Sequence, residues 1–120
     1  MAQGIAAALR RLSNTILWSW QGWRAAWTSE PSLRQWTAVN AVSVVAALVL
    51  DLTGGERAPI LALGVLLLAA ELVNTAIEEA VNIAAPDPHP LAKKAKDCGS
   101  AGVALTAIAG GVAWIAVLAG

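Results

Sequence analysis

From Leu9 to Trp27 the apolar residues return every three or four positions, whereas beyond Trp36 they run almost without interruption. The first pattern predicts an amphipathic helix over residues 1–29. Projected at about 100° per residue, Leu9, Leu12, Ile16, Trp20, Trp23 and Trp27 fall within about 80° of one another. Arg10, Arg11, Asn14 and Gln21 take the other side. Tryptophans on an apolar face ringed by arginines suit the lipid interface, where an indole keeps its N–H wet and its rings buried. Trp18 points with Arg11 to the polar side. There an indole beside a guanidinium could stack on a nucleobase, or serve as a second interfacial anchor, which the geometry alone favours.

The sequence Thr28-Ser29-Glu30-Pro31 ends this helix, because Pro31 disfavours helix at Glu30 and suits the first position of a new one. A first membrane span is predicted over 36–52, interrupted by Asn40 and Ser43. A polar, glycine-containing turn follows over 51–57. A second span is predicted over 58–83, about 39 Å at about 1.5 Å per residue, so that its end emerges from the hydrocarbon. Pro86, Pro88 and Pro90 then keep the next loop out of helix. A third span is predicted over 98–119, where Gly102, Thr106 and Gly110 recur at the four-residue spacing that lets helices approach closely. The fold class expected is an all-α integral membrane protein, one domain with a surface helix and three transmembrane helices.

Composition agrees: of 120 residues, 58% are hydrophobic and 13% charged, against roughly a quarter charged in soluble domains. The formal net charge of zero says little, but its distribution says more. Arg10, Arg11, Arg24 and Arg34 precede the first span, and Lys93, Lys94 and Lys96 lie between the second and third. Arg57 alone lies between the first and second. That asymmetry predicts a cytoplasmic N-terminus and second loop, with the loop around Arg57 outside. The single cysteine, Cys98, excludes an internal disulfide framework, and no cleavable signal peptide is apparent.

Against this apolar background the segment 70–82 stands out. Glu71, Asn74 and Glu78 fall at i, i+3 and i+7, within about 60° on one helix face. Polar contacts between packed helices explain Asn74 and Thr75. They explain two stacked carboxylates poorly, since like charges in low dielectric repel unless a proton or cation lies between them. Glu71 is expected deep, at the level of a lipid's polar linkage, and Glu78 near the headgroups. Lys96-Asp97 adjoin the third span and are candidates for phosphate work, while Lys93 and Lys94 read as topological anchors. His89 is the only histidine, so a histidine-based metal cluster is excluded. No phosphate-binding glycine loop, kinase catalytic loop or hydrolase elbow is present. What remains suits Mg²⁺ held by one or two carboxylates and substrate phosphates, with a further carboxylate as base on a lipid alcohol. The same residues would also serve proton or cation conduction.

Glu71-Leu72-Val73-Asn74-Thr75-Ala76-Ile77-Glu78 resembles the E-x-x-N-[ST]-A-I-E signature of the small prokaryotic diacylglycerol kinases. His89-Pro90-Leu91-Ala92-Lys93-Lys94-Ala95-Lys96-Asp97 is similar to their second cytoplasmic motif. Gly22-Trp23-Arg24-Ala25-Ala26-Trp27 through Glu30, with Leu33-Arg34-Gln35, is similar to their N-terminal one. The resemblance implies a homotrimer with active sites shared between subunits in the bacterial inner membrane. It implies that ATP and Mg²⁺ convert diacylglycerol to phosphatidic acid, with no nucleic-acid partner. By position it implies Glu71 as general base, Glu30 and Glu78 as Mg²⁺ ligands, and Asn74 in support. It implies that Arg11, Trp18, Glu30, Glu78, Asp87, His89, Lys96 and Asp97 meet ATP. Arg11, Ser19, Arg24, Arg34, Glu71 and Ser100 would meet the lipid. Gln21, Glu79 and Asn82 depart from the family pattern, and Glu79 lies about 80° round from Glu71. Undecaprenol, a long isoprenoid alcohol, is the alternative substrate on the same fold. A non-enzymatic ion-conducting or assembly subunit is the alternative from another class.

Overall fold

The computed structural model describes residues 1–120 as four helices and no strands: α1 (Ala2–Ser29), α2 (Pro31–Val49), α3 (Gly54–Ala84) and α4 (Pro90–Ala119). α3 is the central element, with α2 on one side and α4 on the other, and α1 leans on α2 and α3 only. Backbone contact between α2 and α4 is absent. They are bridged instead by the Trp114 indole N–H, which donates to Ser43 Oγ at 2.8 Å.

The radius of gyration is 18.1 Å, well above the roughly 13–14 Å of a compact chain of this length. Only seven of the 120 residues are buried, while Val42, Val49, Ile108, Ile115 and Leu118 are among many large apolar side chains left exposed. A surface of this kind suits lipid or other subunits rather than water. α3 and α4 are each long and apolar enough to cross a membrane, with mean hydropathy 2.2 and 2.1 over their most apolar windows. α2 falls short of that mark, since Arg34, Gln35 and Asn40 lie within its 19 residues.

The helix ends explain where the elements differ from the sequence reading. Pro31 opens α2, as its position predicts, and the helix stops at Val49, three residues before the predicted end of the first span, where the backbone turns extended at Leu50. α3 begins at Gly54 rather than near Ala58. Thr53 and Glu56 form a reciprocal capping box, with Glu56 N–H on Thr53 Oγ1 at 3.2 Å and Thr53 N–H on Glu56 Oε2 at 2.8 Å. Pro59 is thereby carried inside the helix instead of starting it. α4 begins at Pro90, a full two turns before Cys98.

Two arginines close the ends of the helices that precede their own. Arg57 on α3 donates to Ala47 O at 2.7 Å and Leu52 O at 3.2 Å, closing the C-terminus of α2. Arg34 on α2 donates to Trp27 O and Thr28 O, closing α1, which has no basic residue in its own last turn. Between them Glu30 is extended (φ −111, ψ 102), and the fully buried Leu33 pins the elbow.

Candidate active site

Polar side chains form a line along α3. Glu71 is the one charged residue in the buried set, 4% exposed. No side-chain hydrogen bond reaches its carboxylate, since Thr75 Oγ1 donates to the backbone oxygen of Glu71 at 3.0 Å instead. One turn on, Asn74 Nδ2 donates to Glu78 Oε1 at 3.3 Å. The Asn74 Oδ1 atom is shielded from solvent and has no hydrogen-bond partner. Glu78 and Glu30 are both half-buried. Glu30 Oε1 accepts from Ser29 Oγ at 3.1 Å at the α1–α2 elbow.

None of these carboxylates has a cationic partner, because the protein contains a single ion pair, Lys93 with Asp97 on α4. Half-buried carboxylates without cations are poorly solvated, and a divalent ion with phosphate oxygens would relieve this. The donor set therefore fits Mg²⁺, although no three acidic, histidine or cysteine side chains converge to cage a metal within one chain. One or two carboxylates suffice where substrate phosphates complete the octahedron.

A second feature lies at the end of α3. The loop 85–89 and the first turns of α4 enclose a cleft of about 600 Å³, lined by Asn82, Asp87, His89, Lys93, Lys96 and Asp97. His89 Nδ1 accepts the Leu91 N–H at 3.1 Å, so this histidine caps α4 and keeps only Nε2 for the cleft. Lys96 Nζ donates to Asn82 Oδ1 at 2.6 Å, tying α4 back to α3. The hydrogen bond and charge of Asp97 hold the Lys93 pKa above the ordinary 10.5. A helix N-terminus with Lys93, Lys94 and Lys96 in its first two turns favours anions.

The expected site residues divide into groups. Asp87, His89, Lys96 and Asp97 meet in the one cleft. Ser19 lies in a different cleft of about 490 Å³ between α1 and α3, whose rim includes Glu79. Arg24 sits with Trp20, Trp23 and Trp27 against Thr37 of α2, where Trp23 and Trp27 stack at 5.9 Å. Arg34 is turned onto the α1 carbonyls. Ser100 is exposed on α4. Arg11 and Trp18 are exposed on α1, which makes no contact with α4, so a single chain does not bring them to the α4 cleft.

Sequence reasoning passed over three participants. Lys93, taken for an anchor, is the partner of Asp97, and the i, i+4 spacing was its signal. Asn82 is the partner of Lys96 across the antiparallel helix pair, a register that the sequence does not state. Gly99 lies against Asn74.

The family model described as "Prokaryotic diacylglycerol kinase" matches residues 17–118. The chain is 42% identical over 114 residues to a protein of Pseudomonas aeruginosa named diacylglycerol kinase, covering 93% of this chain and 91% of the relative. It is 35% identical over 108 residues to one of the same name from Escherichia coli strain K12, covering 90% and 88%. A Helicobacter pylori protein of that name is 34% identical over 96 residues, covering 80% and 75%. The motifs on α1, α3 and α4 and this near full-length similarity agree, and the chain belongs to the prokaryotic diacylglycerol kinase family.

Proposed function

We propose that the chain phosphorylates diacylglycerol to phosphatidic acid with ATP and Mg²⁺ at the cytoplasmic face of the inner membrane. The observation that carries this reading is the separation along α3. A buried, unpartnered carboxylate at Glu71 lies about 10 Å along the axis from Glu78, and the lysine-lined cleft follows beyond. A lipid hydroxyl can reach the first from the membrane while a nucleotide occupies the second from the cytoplasm.

In this reading Glu71 accepts the proton of the lipid hydroxyl as its oxygen attacks the γ-phosphorus. The bond from that phosphorus to the β-phosphate oxygen breaks, and ADP leaves with the electron pair. Glu30 and Glu78 would hold Mg²⁺, which supplies charge neutralisation at the transferring phosphoryl group. Lys96 and the α4 N-terminus orient the phosphates, with Asp87, His89 and Asp97 around the nucleotide. Arg11 and Trp18 would join the nucleotide site from a neighbouring chain of a homotrimer, a reading supported by the lack of contact between α1 and α4 within one chain. Ser19, Arg24 and Ser100 line the lipid approach, and Arg34 holds the elbow beside it. Spans carried on α2, α3 and α4, with the surface helix 1–29, form one membrane domain, N-terminus inside.

The test measures phosphate transfer from ATP to diacylglycerol and to undecaprenol in mixed micelles. Preference for diacylglycerol supports the proposal. Preference for undecaprenol overturns the substrate, and lack of Mg²⁺-dependent ATP consumption with either alcohol favours a non-enzymatic ion-conducting role.

A further inference from the structure

On α4, Gly99 faces Asn74 of α3. A Cβ added to Gly99 would overlap Asn74 Oδ1 and approach Asn74 Cγ to 3.4 Å and Ile77 Cδ1 to 3.6 Å. Gly102, Gly110 and Gly111 on the same helix would each accept a Cβ with nothing within 4 Å. Gly99 is therefore a single socket, not one member of a small-residue stripe. The carboxamide oxygen seated in it is shielded and unbonded, an arrangement that costs free energy unless it secures something else. The other end of the same carboxamide shows what is secured. With Oδ1 in the socket, Nδ2 is turned onto Glu78 Oε1 at 3.3 Å. A flipped amide would set two acceptor oxygens against each other at that distance.

We propose that Gly99 is a positioning residue for Glu78: its missing side chain forms the socket that holds the Asn74 carboxamide with its N–H on one oxygen of the Glu78 carboxylate. Glu78 Oε2 is left without an intramolecular donor and faces the cation in a fixed rotamer. Three elements of the sequence thus act in series, with the α3–α4 packing distance setting the geometry of a ligand that neither helix could fix alone. The inference rests on the reading of Glu78 as a metal ligand.

The experiment compares Gly99→Ala, Gly102→Ala, Asn74→Ala, Glu78→Gln and the double variant Gly99→Ala/Asn74→Ala in the full chain in detergent micelles. Free Mn²⁺ is followed by electron paramagnetic resonance with a non-hydrolysable ATP analogue and no lipid, so that binding is read without turnover. Gly99→Ala should weaken Mn²⁺ binding by about tenfold, the order expected for losing a hydrogen bond to a charged group. The Mg²⁺ activation midpoint should move likewise while the lipid KM stays constant. Gly102→Ala should move neither. The double variant should bind no more weakly than Asn74→Ala, since removing the carboxamide removes the clash. Normal Mn²⁺ binding by folded Gly99→Ala overturns the proposal, as does a double variant showing the sum of both losses. Should Gly99→Ala fail to fold, recovery of folding in the double variant supports the socket and failure to recover overturns it. Unchanged binding in Glu78→Gln sinks the metal-ligand reading itself. Weakened binding in Glu78→Gln with unchanged binding in Asn74→Ala sinks only the role of Gly99.

Discussion

Replacing Glu71 by Gln keeps the side chain's shape and removes its ability to take a proton. Glu71 is 4% exposed, so bulk water is poorly placed to substitute as base, and no neighbouring carboxylate lies on the same turn of α3. A positioned general base contributes roughly 10²–10⁴ in rate, and poor water access puts this site in the upper part of that range. Turnover should fall by about 10³, equivalent to about 4 kcal/mol in the barrier. The cleft proposed for the nucleotide is built from Asn82, the 85–89 loop and the start of α4 and does not include residue 71, so ATP affinity should hold. The assay couples ADP release to NADH oxidation at saturating diacylglycerol, with equilibrium binding of a non-hydrolysable ATP analogue measured in parallel. Glu71→Asp, which withdraws the carboxylate by one methylene but retains its basicity, should fall between the two. Turnover of Glu71→Gln within about tenfold of the unmodified protein would refute the role. A parallel loss of nucleotide binding would refute the division of the site by depth.

Three other perturbations follow from the hydrogen bonds. Asn82→Ala releases Lys96 from its 2.6 Å contact and should raise the KM for ATP several-fold with the lipid KM unchanged, as steady-state kinetics against each substrate will show. Arg57→Ala removes one bond to the Ala47 carbonyl in the last turn of α2 and one to the Leu52 carbonyl in the linker beyond it. It should cost about 2 kcal/mol, read as a lower half-inactivation temperature with unaltered kinetic constants. Lys93 should titrate above 10.5 by NMR of its ε-methylene and return toward 10.5 in Asp97→Asn. Because its pKa is raised on folding, the stabilisation from this pair is fully present below 10.5 and is lost only as pH rises through the higher folded-state value. An Asp97→Asn variant with an unshifted titration would remove the pairing.

The spacing of Glu71 and Glu78 on one long helix was legible because apolar length and the i, i+7 interval are one-dimensional facts. The burial of Glu71 then needs only a helix on each side of α3. The elbow at Glu30 was legible for a similar reason, since Pro31 acts on its immediate neighbour. The start of α3 was less so. Gly54 and Gly55 read as part of a turn, yet Thr53 and Glu56 carry the capping-box spacing that outweighs them. Pairings across helices were least legible. Asn82 with Lys96 and Gly99 with Asn74 each depend on the axial register of α3 against α4, and Arg34 with Trp27 and Thr28 on the angle of the α1–α2 elbow. A shift of one residue in that register, about 1.5 Å along the axis, changes who meets whom while leaving hydropathy unaltered.

Spacing along one helix likewise explains why α3 carries two of the three carboxylates of the proposed reaction. A lipid hydroxyl is held near the interface by its acyl chains, and a nucleotide is held in water by its charge, so the two must be met at different depths. One rigid helix spaces Glu71 and Glu78 at that separation without any loop between them, and each then needs a different support. Glu71 requires exclusion of water, which packing within the helix layer provides. Glu78 requires a fixed rotamer near the polar surface, which the Asn74 carboxamide provides. The cost is that Arg11 and Trp18, on a helix that makes no contact with α4, would have to complete the proposed site from another chain. In the proposed reaction, sharing of sites between subunits would follow from putting α1 at an elbow.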